Sequence, residues 1–234
     1  MMRWAGALVA QFEGEPVIRW QWIADHLDEV WARGVQHVVL TSSSVAIGLA
    51  IAFPLAVVAS RRRWTIAPIT WVSGILYTIP SFAFIFLLLP VTGLSLRTVV
   101  IPLIAYSILI LFRNTLAGLD AVEADVKEAA VGMGLSARQL LWRVEVPLAM
   151  PVIIAGVRIA TVSAISLVTI AALIGRGGFG QFILEGINEF FPTPLLLGVV
   201  LSVALAVLAD LLLLGLQRLV TPWAAGAGLR TVAV

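Results

Sequence analysis

Residues 119–147 read LDAVEADVKEAAVGMGLSARQLLWRVEVP, and they form the longest polar interruption between the apolar segments of this chain. Nine charged side chains lie in this stretch or just before it: Arg113, Asp120, Glu123, Asp125, Lys127, Glu128, Arg138, Arg143 and Glu145. The pattern predicts two short helices joined by a glycine elbow.

The first predicted helix, over residues 121–131, consists mostly of good helix formers. Asp120 can cap its start, and Glu123 three residues later completes an Asp-x-x-Glu capping pattern. Gly132 and Gly134 are expected to end this helix, because glycine tolerates the left-handed conformation that a helix end needs.

The second predicted helix covers residues 137–144. Ser136 can cap its start, and Pro147 is expected to end it. A helix–glycine–helix unit between apolar segments is typical of a docking element.

The spacing of Glu128-Ala129-Ala130, Gly134 and Val144-x-Val146-Pro147 resembles the EAA loop of permease subunits in binding-protein-dependent ABC importers. The family pattern is EAA-x3-G-x9-I-x-L-P, and this chain departs from it only by two valines, which replace isoleucine and leucine. In that family the loop seats in a groove of the cytoplasmic ATPase and transmits its closure to the membrane helices.

The resemblance implies roles for residues of the loop. Those assigned to ATPase coupling are Glu128, Ala129, Ala130, Gly134, Leu135, Arg138 and Pro147. Glu128 would offer a charge to the ATPase, and Gly134 would form the elbow. Leu135, Leu140 and Leu141 either supply apolar contact to the ATPase or pack on the permease's own helices, with Arg138 and Arg143 at the rim.

Composition predicts an all-α polytopic membrane protein. The 234 residues are 61% hydrophobic and only 12% charged, which is too apolar for a soluble domain. The net charge of +2 and the lack of a basic run longer than 61–63 give no reason to expect nucleic-acid binding. The chain has no cysteine, and His26 and His37 lack companion ligands, so we expect no bound metal or cofactor.

Uncharged segments predict about five core transmembrane helices. They cover residues 38–59, 66–89, 98–112, 151–174 and 194–217. Pro80 lies in the middle of the second span and is expected either to kink a helix that lines a pathway or to be a kink tolerated for packing. The apolar side chains of residues 20–35 recur at helical spacing, which predicts an N-terminal amphipathic helix, either at a membrane face or packed on the bundle.

These segments divide the chain into an N-terminal extracytoplasmic or interfacial part (1–37), a transmembrane permease domain (38–219) and a cytoplasmic tail (220–234). The coupling loop occupies residues 114–150. Five spans with this loop inside place the N-terminus outside and the C-terminus in the cytoplasm. The resemblance implies that the membrane is the plasma (inner) membrane.

The distribution of basic residues favours this orientation. The predicted inside holds nine: Arg61, Arg62, Arg63, Arg113, Lys127, Arg138, Arg143, Arg218 and Arg230. The predicted outside holds five: Arg3, Arg19, Arg33, Arg97 and Arg176.

Two charges fall inside predicted spans. An ionisable group in hydrocarbon costs roughly 2.5–3.5 kcal/mol on insertion scales, so each should have a partner or a role. Arg158 and Asp210 both lie roughly 10–12 Å from the cytoplasmic ends of their helices, at about 1.5 Å per residue. We therefore predict that they pair and tie the fourth span to the fifth, the alternative being an ion-translocation pair.

Further motifs resemble the osmoprotectant branch of the same permease family. They are Thr78-Ile79-Pro80-Ser81, Phe112-Arg113-Asn114-Thr115, the segment 144–158 and the glycine-rich turn 171–180, in which Arg176 departs from the expected small residue. The resemblance covers about residues 35–223 and implies transport of glycine betaine, choline, carnitine or proline betaine. Methionine-type importers share this architecture and remain an alternative.

The resemblance also implies partners. These are a cytoplasmic ABC ATPase dimer that holds ATP and magnesium, an extracytoplasmic solute-binding protein, and a second permease copy or a paralogue. An ion-coupled secondary transporter is the rival class, but the chain shows no second equivalent half. It also carries no recognisable catalytic motif, so we expect no enzymatic activity of its own.

Overall fold

The computed structural model describes residues 17–223, and every regular element within that range is helical. The helices are α1 (Trp20–Asp25), α2 (Leu27–Arg61), α3 (Ile66–Thr78), α4 (Ser81–Thr92), α5 (Leu96–Asp120), α6 (Ala124–Gly132), α7 (Ala137–Leu140), α8 (Val146–Ile170), α9 (Gly180–Asn188) and α10 (Pro192–Val220). Short 3₁₀ turns occupy Arg63–Thr65 and Ala171–Ile174, and a π-helical turn occupies Leu141–Glu145.

Four continuous helical stretches are long and apolar enough to cross a membrane. They are α2, α5, the run from Ala137 to Ile174, and α10. The α3–α4 pair passes the same test when taken together, although its two helices meet at 92°. The fold is therefore the all-α membrane bundle that the composition predicts.

The break between α3 and α4 lies at Ile79 and Pro80. Both residues have extended backbone, with ψ angles of 124° and 134°. Proline has no N–H and clashes with the preceding helical turn, so it ends a helix more readily than it continues one. The sequence predicts a kinked span here, and the structure shows instead a span broken into two helices.

Ion pairs bring the ends of three helices together. Arg61, at the end of α2, donates to Glu145, just before α8, and Arg63 donates to Asp120, the last residue of α5, at 2.6 Å. These ends therefore share one side of the bundle. The α3–α4 pair leads from that side to the start of α5 on the other, so it crosses as one broken span and the bundle has five spans.

Small residues allow the central helices to approach closely. Ala52, Ala56 and Ala59 are completely buried on the face of α2 that packs on α5. They pack in one cluster with Leu111 and Phe112 of α5, which are also buried. Small side chains at helix interfaces are the usual basis of packing in membranes, where the hydrophobic effect does not favour one apolar partner over another.

The N-terminal part differs from the prediction of a separate amphipathic helix over residues 20–35. In the structure this segment is divided between α1 and the first turns of α2, with only His26 between them. The helix then continues to Arg61 without a stop, because no proline lies between Leu27 and the apolar span. Residues 1–16 and 224–234, which include most of the predicted cytoplasmic tail, lie outside the described residues.

Candidate functional site

The coupling loop of residues 114–150, or coupling segment, has its elbow at Gly134, where the chain forms a Schellman motif. The N–H of Leu135 donates to the carbonyl of Ala130 at 3.2 Å, and the N–H of Gly134 donates to that of Val131 at 2.9 Å. Gly134 has a φ of +84°, which is the left-handed conformation that this motif requires. Gly132, by contrast, is the last residue of α6 and does not adopt the left-handed conformation.

The start of α6 differs from the prediction. Asp120 does not cap it, because Asp120 belongs to α5 and its carboxylate accepts from Arg63. The residue before α6 is Glu123, and its side chain makes no capping hydrogen bond.

The second helix of the segment begins as predicted and continues further than predicted. Ser136 and Gln139 form a capping box, in which the Ser136 hydroxyl accepts from the Gln139 N–H and the Gln139 side chain accepts from the Ser136 N–H. The helix does not end at Pro147. The π-helical turn leads straight into α8, and Pro147 is the second residue of α8, so the helical run from Ala137 to Ile174 passes through it.

The exposed part of the coupling segment contains most of the predicted contact residues. Glu128, Ala129, Gly134 and Arg138 are exposed, whereas Leu135 and Pro147 are half-buried. Ala130 and Leu140 are buried inside the chain's own packing, so neither is free to touch a partner.

The sequence analysis does not predict two apolar residues that are exposed at the elbow. Val131 is 57% exposed and Met133 is 74% exposed, on either side of Gly132. Their position beside the motif glycine was the available signal, because apolar side chains at a helix end are exposed when the chain turns away immediately after them.

A buried carboxylate lies behind this surface. Glu145 is almost completely buried, and both of its oxygens accept from the Arg61 guanidinium. Lys127 of α6 lies 3.7 Å from the same carboxylate and also donates to the Leu119 carbonyl of α5 at 3.1 Å. Glu145 and Lys127 together therefore connect the coupling helix α6 to the ends of α2, α5 and α8.

The two intramembrane charges meet in a bidentate pair. Arg158 Nε and Nη2 each donate to one oxygen of Asp210, at 2.8 Å and 2.8 Å. Gln217, about two turns further along the same face of α10, donates to the Pro151 carbonyl at 3.2 Å. The pair lies deeper than predicted, roughly 15–18 Å from the helix ends, because α8 begins at Val146 and α10 continues to Val220.

A cavity of about 250 Å³ opens at the break between α3 and α4. Pro80, predicted as a pathway residue, lies in its wall together with residues of α5 and α8. The Tyr106 hydroxyl of α5 donates at 2.6 Å to the Ile79 carbonyl, which the break leaves without a helical partner.

The glycine-rich turn after α8 is held by the first span. His37 is completely buried. Its Nε2 lies 3.0 Å from the Ile165 carbonyl, and its Nδ1 accepts from the Phe179 N–H at 3.3 Å. The ring is therefore neutral, with its proton on Nε2. Gly178 has a φ of +52° and leaves no room for a side chain against His37, so this turn is a packing joint between α2 and α8.

The sequence profile of the inner membrane component of binding-protein-dependent transport systems matches residues 44–223. The chain belongs to this family. It is a multi-pass transmembrane permease subunit of an ABC importer, and members of the family work with an ATPase and a solute-binding protein.

Individual relatives match along most of their length. The chain is 32% identical to the choline transport system permease protein OpuBB of Bacillus subtilis over 202 residues, covering 86% of this chain and 93% of that one. It is 36% identical to the osmoprotectant import permease protein OsmW of Salmonella typhimurium over 192 residues, covering 80% and 89%.

The fold is also that of a chain in a solved ABC transporter. The inward-facing MetNI methionine ABC transporter matches with a TM-score of 0.72 at 22% identity, covering 82% of this chain and 96% of that one. This confirms the predicted architecture, which methionine-type importers share.

Proposed function

We propose that this permease forms the translocation path for a small osmoprotectant of the class of glycine betaine, choline, carnitine or proline betaine. A separate extracytoplasmic binding protein delivers the solute, and the path is completed by a second copy of this chain or by a paralogue. The observation that carries the substrate class is the similarity, over at least four fifths of the chain, to permeases named for choline and osmoprotectants.

The energy comes from outside the chain. A dimer of cytoplasmic ATPases binds ATP and magnesium and closes on the exposed residues of the coupling segment, Glu128, Gly134 and Arg138 among them. Movement of α6 then reaches the spans through Lys127 and the buried Glu145 carboxylate. The contacts that support this route are the ion pairs from Glu145 to Arg61 and to Lys127.

In this proposal the Arg158–Asp210 pair fastens α8 to α10 and carries no ion. Its bidentate geometry supports a structural role, because each charge is neutralised by a fixed partner.

Uptake by a reconstituted complex tests the proposal. The permease is co-assembled with its ATPase and its binding protein in proteoliposomes, and the uptake of labelled choline, glycine betaine and methionine is measured with and without ATP. We expect ATP-dependent uptake of the quaternary amines. Uptake of methionine alone would contradict the substrate class, and uptake driven by an ion gradient without ATP would contradict the mechanism.

A further inference from the structure

The cavity at the broken span lies deep in the bundle. Tyr106 in its wall is ten residues from the start of α5, or roughly 15 Å along that helix, and Ser163 is seven residues from the end of α8, or roughly 10 Å. Both positions are well inside the apolar layer, which is about 30 Å thick.

The backbone around the cavity is unusual for a membrane interior. Irregular backbone at this depth is stable only where protein covers it or where it lines a wet cavity, because lipid offers no hydrogen bonds. Here hydroxyl groups replace the missing helical bonds. Tyr106 donates to the Ile79 carbonyl, and Thr78 donates to the Ile75 carbonyl at 2.7 Å. Ser81 and Ser163 add further hydroxyls to the wall.

Two tyrosine rings meet edge to face in the wall of the cavity. Tyr106 is buried and fixed between the rings of Tyr77 and Phe84, which meet it edge-on at 5.7 Å and 6.0 Å. Tyr77 itself is 46% exposed and lines the cavity. The side chains that line this cavity include no charged residue.

An uncharged wall with an aromatic ring favours a quaternary ammonium group. A quaternary ammonium has no N–H to donate, so it gains little from carboxylates or carbonyls compared with a primary amine, and it is attracted to the faces of aromatic rings. A wall without a carboxylate also binds weakly, which is what a site passed through in every transport cycle requires.

We propose that this cavity is a transit site for the quaternary ammonium group of the solute, with the ring of Tyr77 as its contact and Tyr106 as the residue that positions that ring. The inference rests on the proposed substrate class and adds a place within the path where this chain itself recognises the solute.

The test compares variants at position 77 in the complete reconstituted complex, with choline as the probe. Tyr77→Leu removes the aromatic face and Tyr77→Phe keeps it. The matched control is Trp71→Leu, which removes an aromatic ring that is 71% exposed on the same helix outside the cavity. The readouts are the maximum rate of ATP-dependent choline uptake, the KM for choline, and the ATPase activity stimulated by the loaded binding protein.

We expect Tyr77→Leu to lower the maximum uptake rate about tenfold, as for the loss of one partly desolvated cation–π contact. The KM should stay unchanged because the binding protein captures the solute, and stimulated ATPase activity should remain. Tyr77→Phe and Trp71→Leu should stay within about twofold of the wild type, since both leave an aromatic face at position 77. Wild-type uptake by Tyr77→Leu, or an equal loss in Tyr77→Phe, overturns the transit site.

A second series covers the case in which Tyr77→Leu damages the fold and also abolishes ATPase activity. Phenylalanine and fluorinated phenylalanines are placed at position 77, where fluorine weakens the negative ring face with little change in shape. A stepwise loss of uptake with fluorination supports the transit site, and equal uptake across the series overturns it.

If the wild-type complex takes up methionine and no quaternary amine, the proposed function fails and this inference fails with it. If the wild-type complex takes up choline but the variants at position 77 do not show the expected changes in uptake, only the transit-site inference fails.

Discussion

Gly134 shows how a single residue can be required for its backbone alone. A Cβ built at this position meets no atom within 4 Å, so no packing argument forbids a side chain there. The φ of +84° does, because an L-residue in the left-handed region costs about 1–2 kcal/mol, and a β-branched residue is the least tolerant.

Gly134→Val should therefore insert into the membrane normally and lose coupling. A cost of about 1–2 kcal/mol shifts the population of the native elbow by roughly 5- to 30-fold. Gly132→Ala is the matched control, since Gly132 also has open space around its Cβ position but lies in regular helix. The amount of inserted permease and the ATP-dependent uptake are measured for both variants. Wild-type uptake by Gly134→Val would contradict a role for the elbow in docking.

The sequence predicts the structural roles of some individual residues and not those of others. Gly134 and Ser136 were predictable, because the requirements of a left-handed turn and of a capping box are local. His37 was not, since its partners, the Ile165 carbonyl and the Phe179 N–H, are more than 120 residues away in sequence.

At the scale of helices, the length of the apolar segments predicts which of them cross the membrane. The effects of two prolines differ from those that the sequence predicts. Pro147 was expected to end a helix and instead lies in the first turn of α8, while Pro80 was expected to bend a helix and instead separates two. A proline marks a place where a helical hydrogen bond is missing, and only the surrounding packing decides whether the helix starts, bends or stops there.

The Arg158–Asp210 pair could be predicted from the distance of each charge to the coupling end of its helix. The helix α8 starts at the coupling side and α10 ends there, and each carries one charge within the apolar layer. Substituting Arg158 and Asp210 singly and together tests whether the pair has a structural role. Arg158→Leu alone or Asp210→Leu alone leaves an unpartnered charge in the membrane and should lower the inserted, folded yield severalfold.

The double variant with leucine at both positions removes both charges and should recover most of that yield, together with ATP-dependent uptake. The exchanged variant, Arg158→Asp with Asp210→Arg, should recover it as well if the helices tolerate the longer side chain on α10. Yield is measured by gel filtration of the solubilised complex. A double leucine variant that assembles and does not transport would contradict a purely structural role for the pair.

At the scale of the whole molecule, ion pairs fix which ends lie together and leave open which side of the membrane they face. The pairs from Arg61 to Glu145 and from Arg63 to Asp120 place the end of α2 beside the coupling segment. The start of α5 and the glycine-rich turn after α8 then lie at the opposite end. Among the described residues, eight basic residues lie toward the coupling end and four toward the other end, and this excess predicts that the coupling end is cytoplasmic.

Single cysteines can report this orientation directly, because the chain has none of its own. Arg62→Cys and Arg138→Cys mark the coupling end, and Arg97→Cys and Arg176→Cys mark the other, all at exposed positions. A membrane-impermeant maleimide applied to intact cells should label Cys at 97 and 176 only, and applied to inverted vesicles it should label Cys at 62 and 138 only. Position 62 is the decisive one. Labelling there from outside, with position 138 still inside, would mean that α3 and α4 return to the side they left, and would contradict both the broken span and the extracytoplasmic N-terminus.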